Sequence, residues 1–102
     1  MDKKRQPRLT VHAVKVLGQL IDGHALSGAE IGRATGLASG TLYPLLIRLE
    51  KAGWLTSAWE VADPQALGRP RRRFYRLTAV GKTEASIQVS QFAPAVGRLA
   101  WI

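Results

Sequence analysis

The chain has 102 residues and no cysteine, and its 15 lysines and arginines against 7 aspartates and glutamates give a formal charge of +8. This length fits one small domain with an appended element. The lack of cysteine excludes disulfides, thiolate zinc sites and cysteine nucleophiles. No apolar run is long enough to cross a bilayer, and no apolar stretch typical of a secretory signal follows the basic start. We therefore expect a cytoplasmic protein.

The excess positive charge lies in two short segments. Residues 1–8 hold four bases and one acid, residues 69–76 hold five arginines and no acid, and the remaining charges balance. A charge that served solubility alone would be spread over the surface. Two clusters together favour a polyanionic partner, although one cluster taken alone is typical of solvated surface. Neither lies on a strongly amphipathic helix, so we expect no membrane partner.

The first half of the chain predicts two helices after a basic arm of residues 1–8. Residues 9–22 carry apolar side chains at helical spacing on two faces, and both faces of such a helix must be covered. Gly23 is suited to end it in a left-handed conformation. Ser27 and Glu30 have the spacing of a capping box, which predicts a second, short helix that ends at a turn formed by Gly36.

A third helix is predicted over about residues 41–52. Four leucines at helical spacing form its buried stripe: Leu42, Leu45, Leu46 and Leu49. Pro44 has no N–H and fits only the first turn of a helix, which favours a start at Thr41 with Thr41 as the N-cap. Gly53 then ends the helix. Together the three helices have the pattern of a helix-turn-helix.

A basic hairpin follows the third helix directly, as a wing does. Residues 54–61 and 72–77 read as strands, and residues 62–70 read as a loop with a mobile tip, because it is longer than a tight hairpin needs. Trp54 and Trp59 are expected in the core of the sheet, the default for an aromatic residue in a strand.

Thr78 is placed to cap a last helix that continues to the end of the chain. Its apolar stripe, which we assign with Trp101 to a dimer interface, is Ala85, Val89, Phe92, Val96 and Leu99. The stripe either folds back on the first helix or pairs with the same helix of a second subunit. Pro94 is predicted to kink or interrupt this helix near residue 90. Trp101 and Phe92 either form a plain hydrophobic interface or line a dimer cavity for a small, flat aromatic effector.

Two stretches carry a family resemblance. Residues 40–53 read Gly-Thr-Leu-Tyr-Pro-Leu-Leu-Ile-Arg-Leu-Glu-Lys-Ala-Gly, and residues 68–81 contain a basic strand ending in Tyr-Arg-Leu-Thr with a glycine three residues later. Both resemble the PadR family of bacterial transcription regulators, and the resemblance covers roughly residues 9–82. It implies a dimeric winged helix-turn-helix repressor of the small type, whose third helix enters the major groove of operator DNA. Its wings are then implied to reach the flanking minor groove or backbone.

The chain departs from the family at two points. One is its short tail, a single helix as in the small members instead of the larger C-terminal domain of the long ones. The other lies before the third helix. Residues 26–31 read Leu-Ser-Gly-Ala-Glu-Ile where the family usually has a His-Gly-Tyr-Glu-Ile stretch, and residues 35–40 make a tighter turn. Family members differ in their effectors, so no ligand carries over.

The candidate DNA contacts on the third helix are the side chains that its buried stripe leaves outside: Ser39, Gly40, Thr41, Tyr43, Pro44 and Arg48. Small residues at its start let the helix end enter the groove. Thr41 and Tyr43 are suited to phosphate, and Thr41 also to a thymine methyl. Arg48 is suited to phosphate or guanine, or to a surface ion pair with the neighbouring charges.

The wing contributes four candidate DNA contacts: Arg69, Arg71, Arg72 and Arg73. Alternation puts Arg72 and Arg73 on opposite faces of the returning strand, and one face must be the core face. We therefore prefer Arg71 and Arg73, or Arg69 at the tip, over all four together. Backbone contacts or nonspecific affinity are assigned to a further set: Arg33, Lys3, Lys4 and Arg5.

No enzymatic motif is present. The two histidines, His12 and His24, have no acid partner in sequence and are too few for a zinc site without cysteine, so we expect no catalysis, metal or cofactor. The fold class expected is α+β, mainly α: an arm (1–8), a winged helix-turn-helix (9–78) and a dimerisation helix (79–102). The expected function is a homodimeric repressor on a near-palindromic operator in double-stranded DNA. The alternatives are a winged-helix protein-interaction module and a nonspecific or architectural DNA binder.

Overall fold

The computed structural model describes residues 10–101, with side chains as far as Gln91. The elements in chain order are α1 (Val11–Leu20), β1 (Leu26–Ser27), α2 (Gly28–Thr35), α3 (Ser39–Lys51), β2 (Leu55–Trp59), α4 (Pro64–Leu67), β3 (Arg73–Leu77) and α5 (Ala79–Trp101). Helices α2 and α3 form the helix-turn-helix, and residues 55–77 form the wing. The predicted winged helix-turn-helix is confirmed.

Helix α1 is covered on two sides, as its sequence predicts. The Thr10 side chain caps it by accepting a hydrogen bond from the Ala13 N–H at 3.2 Å. Its fully buried side chains are Ala13, Val16, Leu17 and Leu20. The helix packs against both α2 and α5, and Val11 at its first turn stays exposed.

The capping box that opens α2 is confirmed. The Glu30 N–H donates to Ser27 Oγ at 3.1 Å, and the Ser27 N–H donates to Glu30 Oε1 at 2.9 Å. This bond from the Ser27 backbone is the main reason why the pKa of Glu30 lies below its ordinary value. Gly36 ends α2 with a φ of 75°, which a residue with a side chain rarely adopts.

Helix α3 begins two residues earlier than predicted, and the assignment of Thr41 as its N-cap is wrong. Ala38 is the N-cap residue and makes no side-chain capping bond, while the Leu42 N–H donates to the Ala38 carbonyl at 2.9 Å. Pro44 therefore lies in the second turn. Because proline has no N–H, the hydrogen bond from residue 44 to the carbonyl of Gly40 is missing. Gly40 and Pro44 are both exposed, so water can donate to that carbonyl instead. The leucine stripe is buried as predicted.

The sheet has the strand order β1–β3–β2, antiparallel throughout. Strand β1 was not predicted, because two residues carry no recognisable pattern. Residues 62–70 are not a plain loop. They contain α4, which Asp63 caps by accepting from the Gln65 N–H at 3.0 Å and which Gly68 ends.

The prediction that both Trp54 and Trp59 are core residues is half wrong. Trp54 is buried, whereas Trp59 is 58% exposed. In the register of β2 and β3, Ser57 faces Tyr75 and Trp59 faces Arg73. Tyr75 is the outermost buried residue of its strand, so the next pair outward lies beyond the core.

Helix α5 starts as predicted, with the Gly81 N–H donating to Thr78 Oγ1 at 2.9 Å. It continues through Pro94 to Trp101, so the predicted interruption near residue 90 is wrong, because a proline removes only one hydrogen bond of a helix. The alternative of a kink stays a prediction. Ala85 is fully buried in the chain's own core, and α5 packs on α1. Ala85 is thus not available to a second subunit. Within the described residues no helix is long and apolar enough to span a membrane.

The start of α5 is pressed against the end of the helix-turn-helix. The Thr78 N–H donates to the Trp54 carbonyl at 3.0 Å, and Thr78 Oγ1 donates to the Gly53 carbonyl at 2.6 Å. A Cβ added at Gly81 would collide with the Trp54 carbonyl. Glycine is required at position 81 by this close approach.

Candidate nucleic-acid interface

The outer face of α3 carries every candidate residue that was assigned to this helix. The candidates Ser39, Gly40, Thr41, Tyr43, Pro44 and Arg48 are all exposed, as are Ile47 and Lys51 of the same helix. They lie opposite the leucine stripe because the stripe occupies the spacing of one helix face. The first turn is free of bulky side chains, and it is the end that a groove of DNA would admit.

Tyr43 lies against the start of α2. A Cβ added at Gly28 would come within 2.5 Å of the Tyr43 hydroxyl, so the small residue at position 28 makes room for the ring. Tyr43 is nonetheless 41% exposed. The structure therefore places its hydroxyl in the corner between the two helices, with one side of the ring available to a ligand.

Two adjacent grooves meet at Tyr43. The first, the corner groove, has a volume of about 560 Å³ and is lined by residues of α2 and α3 that include Arg33, Ser39 and Tyr43. The second, the wing groove, has a volume of about 400 Å³ and is lined by Ser27, Gly28, Ala29, Tyr43, Trp59, Arg71, Arg72, Arg73 and Tyr75. Candidate residues from α2, α3 and the wing are thus brought to one concave side of the molecule.

Arg69 is engaged with an acidic partner. Its Nη1 donates to Glu60 Oε1 at 2.8 Å and its Nη2 donates to Glu60 Oε2 at 3.1 Å. The guanidinium holds the pKa of Glu60 below its ordinary value, and the carboxylate raises the pKa of Arg69. Arg69 therefore joins the end of the wing loop to Glu60 at its beginning, and it does not project from the tip of the loop.

Of the four candidate arginines of the wing, Arg71 and Arg72 are the exposed ones; Arg76, which was not a candidate, is exposed as well. Arg71 Nε donates to the Ala62 carbonyl at 2.9 Å, which leaves its terminal nitrogens outward. The Arg72 backbone N–H donates to Glu60 Oε1 at 3.2 Å. Its side chain makes no hydrogen bond within the part of the chain that the structure describes, which sets Arg72 apart from the other three candidate arginines of the wing.

Arg73 lies on the core face of β3, half-buried and in contact with three side chains. Its Nε donates to Ser57 Oγ at 3.0 Å, its guanidinium carbon lies 5.2 Å from the centre of the Trp59 ring, and its Nη2 lies 4.0 Å from Glu50 Oε2. Alternation identified the two faces correctly. The preference for Arg73 over Arg72 as a DNA contact was made without knowing which face is the core face, and it stays a prediction; the structure shows that Arg73 is the one on the core face.

Tyr75 is a buried residue of the wing groove. Burial raises the pKa of its hydroxyl, the Glu50 carboxylate and Tyr43 add to the shift, and Arg73 opposes it. The hydroxyl therefore stays protonated at neutral pH and can donate a hydrogen bond.

Other predicted site residues lie beyond what the structure describes. The arm residues Lys3, Lys4 and Arg5 lie outside the described residues, as do the side chains of Phe92, Val96, Leu99 and Trp101. The predicted aromatic effector, which depends on Phe92 and Trp101, stays a prediction. Within the described residues no group of three histidine, aspartate or glutamate side chains could hold a metal ion.

Sequence reasoning missed the acidic partners of the arginines. Glu60 is nine residues from Arg69, and Glu50 is in another element than Arg73. The exposed Trp59 beside Arg73 was also missed. Period-two alternation puts Ser57 and Trp59 on one face, which was the available signal for their meeting Arg73. No local pattern indicates the Glu60 contact.

The chain was compared with known proteins. The family model described as "Transcriptional regulator PadR-like family" matches residues 12–87. None of the curated proteins compared with the chain matches it.

Several solved structures are similar to the chain. A PadR family transcription regulator from Clostridium difficile R20291 is 24% identical, with a TM-score of 0.70 over 88% of this chain and 94% of that one. The adhesin competence repressor AdcR from Streptococcus pyogenes is 16% identical, with a TM-score of 0.74 over 92% of this chain and 64% of that one. Both likenesses show the fold.

A third similar structure contains DNA. It is reduced AbfR bound to DNA, 27% identical with a TM-score of 0.63 over 81% of this chain and 58% of that one; AbfR is a protein of Staphylococcus epidermidis. The chain spans less than two thirds of the length of AdcR and of AbfR.

Proposed function

Because the chain belongs to the PadR-like family of transcriptional regulators, we propose that it is a homodimeric repressor. It binds a near-palindromic operator in double-stranded DNA through α3 and the wing. The observation that carries the proposal is the meeting of two grooves at Tyr43, where basic residues from α2 and the wing converge on the exposed start of α3. The family is one of regulators and not of enzymes, and action on chromosomal DNA puts the protein in the cytoplasm.

Each element has a distinct role in this proposal. The first turn of α3 enters the major groove, where Thr41 is suited to a thymine methyl or a phosphate. Tyr43 donates its hydroxyl to a phosphate, and Arg72 contacts the backbone from the wing. Thr41 no longer has a competing role as N-cap, which strengthens its assignment as a DNA contact.

The proposed dimer uses α5. Val80 and Ile87 are seven residues apart on this helix and are 61% and 46% exposed, so one apolar face of α5 is uncovered in the single chain. Residues at heptad spacing share a helix face, and a second copy of the helix would cover it. Two α3 helices would then enter successive major grooves, about one helical turn apart. Light scattering at micromolar concentration is expected to give the mass of a dimer, and the mass of a monomer would contradict the proposal.

A binding titration tests the function. Duplexes are selected from a random pool with the wild-type protein, and the best duplex is compared with a scrambled duplex of the same composition at about 50 and 200 mM salt. We expect binding tens of times tighter to the selected duplex at the higher salt. If the dimer neutralises about eight phosphates, log affinity falls against log salt with a slope near −7.

The same titration separates the alternatives. Equal binding to both duplexes that collapses with salt would indicate a nonspecific or architectural DNA binder. No binding to either duplex would indicate a winged-helix module for protein interaction, since the fold alone does not determine the function.

A further inference from the structure

We propose that Glu50, Ser57 and Arg73 form a positioning unit that fixes the wing relative to α3, and that Arg73 contributes to DNA recognition by holding this geometry and not by touching DNA. The inference rests on the proposed DNA-binding function and deepens it. It assigns a role to an acidic residue, Glu50, on a surface whose partner is a polyanion.

Three elements contribute one residue each. Glu50 is in the last turn of α3, Ser57 is in the middle of β2, and Arg73 opens β3. Ser57 Oγ donates to Glu50 Oε2 at 2.7 Å and accepts from Arg73 Nε at 3.0 Å. The serine hydroxyl therefore joins the carboxylate of the helix to the guanidinium of the wing, and each of its two bonds involves a charged group.

The rest of the guanidinium is engaged as well. Its carbon lies 5.2 Å from the centre of the Trp59 ring, within the distance of a cation–π contact. Its Nη2 lies 4.0 Å from Glu50 Oε2, so the carboxylate partly neutralises its charge. An arginine held on one side by an acid and on another by an aromatic ring is poorly placed to neutralise a phosphate. The Arg72 side chain, on the opposite face, makes no hydrogen bond, and no carboxylate lies within 4.0 Å of it among the described residues, although Glu30 and Glu60 are near enough for its charge to lower their pKa values.

A fixed wing matters because α3 and the wing contact different parts of a duplex. If the angle between them is set before binding, no ordering free energy is spent on aligning them. A duplex that fits both at once then gains from the fixed geometry, whereas a nonspecific duplex, held by charge alone, gains little. Glu50 is therefore expected to affect the discrimination between sequences more than the affinity for DNA in general.

The negative charge of Glu50 gives opposite expectations for Glu50→Ala, depending on whether Glu50 positions the wing or only repels DNA. If Glu50 were only a negative charge near DNA, Glu50→Ala would tighten binding to every duplex. As part of the positioning unit, the same change is expected to weaken binding to the selected duplex by about tenfold, a coupling of the usual size for one side-chain network, while scrambled-duplex binding is unchanged or tighter. Asp22→Asn in the turn after α1 is the control, since it removes one negative charge from an exposed residue outside the proposed interfaces, and the asparagine oxygen can still accept the His24 N–H. We expect it to change neither affinity by more than about twofold.

Two further variants separate positioning from folding and from direct contact. Ser57→Ala removes the shared hydroxyl without changing the charge, and it is expected to reproduce the loss seen with Glu50→Ala even if that variant folds poorly. Arg73→Lys keeps the charge and loses the Nε–H, so it is expected to lose selected-duplex affinity with an unchanged salt slope. Arg72→Lys is its control and should retain both.

The outcomes distinguish this inference from the proposed function. If the wild-type protein does not discriminate the selected duplex from the scrambled one, the proposed function fails. If it discriminates and Glu50→Ala binds both duplexes as well as or better than wild type, or Ser57→Ala keeps full discrimination, the positioning inference is overturned and the function stands.

Discussion

Arg69 and Glu60 face each other across the base of the wing loop, joined by two parallel hydrogen bonds of 2.8 and 3.1 Å. Glu60 Oε1 also accepts the Arg72 backbone N–H at 3.2 Å. One carboxylate therefore closes the loop that contains α4 and orients the strand that follows it. Arg69, a candidate DNA contact in the sequence analysis, is thus hydrogen-bonded to the same carboxylate that accepts the backbone N–H of Arg72.

Arg69 and Arg72 should differ in their effect on DNA binding. Arg72→Ala is expected to reduce the salt slope by about 1.8, the value for two lost phosphate contacts, one from each subunit of the dimer. Arg69→Ala is expected to leave the slope unchanged, because its guanidinium is paired with Glu60. The measurement is the affinity of each variant for one duplex over a series of salt concentrations. A reduced slope for Arg69→Ala would mean that the ion pair opens on DNA.

Acid should weaken the fold through the two glutamates with lowered pKa values. The pKa values of Glu60 and Glu30 lie below their ordinary value of 4.5 in the folded chain. On acidification the unfolded chain binds these protons first, so the stabilisation is present above about pH 4.5 and is lost as the pH falls through the folded-state values. Urea unfolding of wild type and Glu60→Gln at a series of pH values tests this. We expect wild type to be the more stable at neutral pH and the two curves to converge in acid; a constant difference would contradict it.

Gly81→Ala should destabilise the domain. The new methyl group would collide with the backbone carbonyl of Trp54, which cannot move aside as a flexible side chain can, and we expect a loss of about 3 kcal/mol in the free energy of unfolding. Gly18→Ala is the matched control, since Gly18 is inside α1 with open space around it. It is expected to stabilise by about 0.5–1 kcal/mol through helix propensity. Chemical denaturation of both variants gives the sign of each change in the free energy of unfolding. Equal changes would rule out the close approach of Gly81 to Trp54 as the cause.

Truncation of Leu46 and of its neighbour Ile47 in α3 should lower the free energy of unfolding by very different amounts. Leu46 is fully buried, and Leu46→Ala is expected to cost about 2–5 kcal/mol in the free energy of unfolding. Ile47 is 52% exposed, and Ile47→Ala is expected to change stability by no more than about 0.5 kcal/mol. Thermal unfolding at two protein concentrations tests both. A large, concentration-dependent loss for Ile47→Ala would indicate that the assembled protein covers this side chain.

The parts of the fold that short-range chemistry decides were predictable from the sequence. The spacing of Ser27 and Glu30 defined the start of α2, and the leucine stripe defined the inner face of α3. The start of α3 was predicted wrongly because the rule applied to Pro44 treats a lost hydrogen bond as prohibitive. In an exposed turn that loss is small, because water can reach the carbonyl of Gly40.

The parts that depend on distant contacts were not predictable from the sequence. Alternation along β3 identified two faces, but only the packing of Tyr75 decides which of them is buried, and with it the different roles of Arg72 and Arg73. The partners Glu60 and Glu50 carry no local signal. The sequence predicted a set of candidate DNA-contact residues, and only the tertiary structure shows which of its arginines are hydrogen-bonded to other side chains of the chain.

The backbone of Trp54 ties together the two long helices on either side of the wing. Its N–H donates to the Leu49 carbonyl at the end of α3, and its carbonyl accepts from the Thr78 N–H at the start of α5, both at 3.0 Å. Because Gly81 also lies against this carbonyl, the start of α5 is held close to the end of α3. Helix α5, 23 residues long, is therefore held at its start by a residue that follows the end of α3, in addition to its packing on α1. The two helices are joined through the Trp54 backbone by a route that does not pass through the wing.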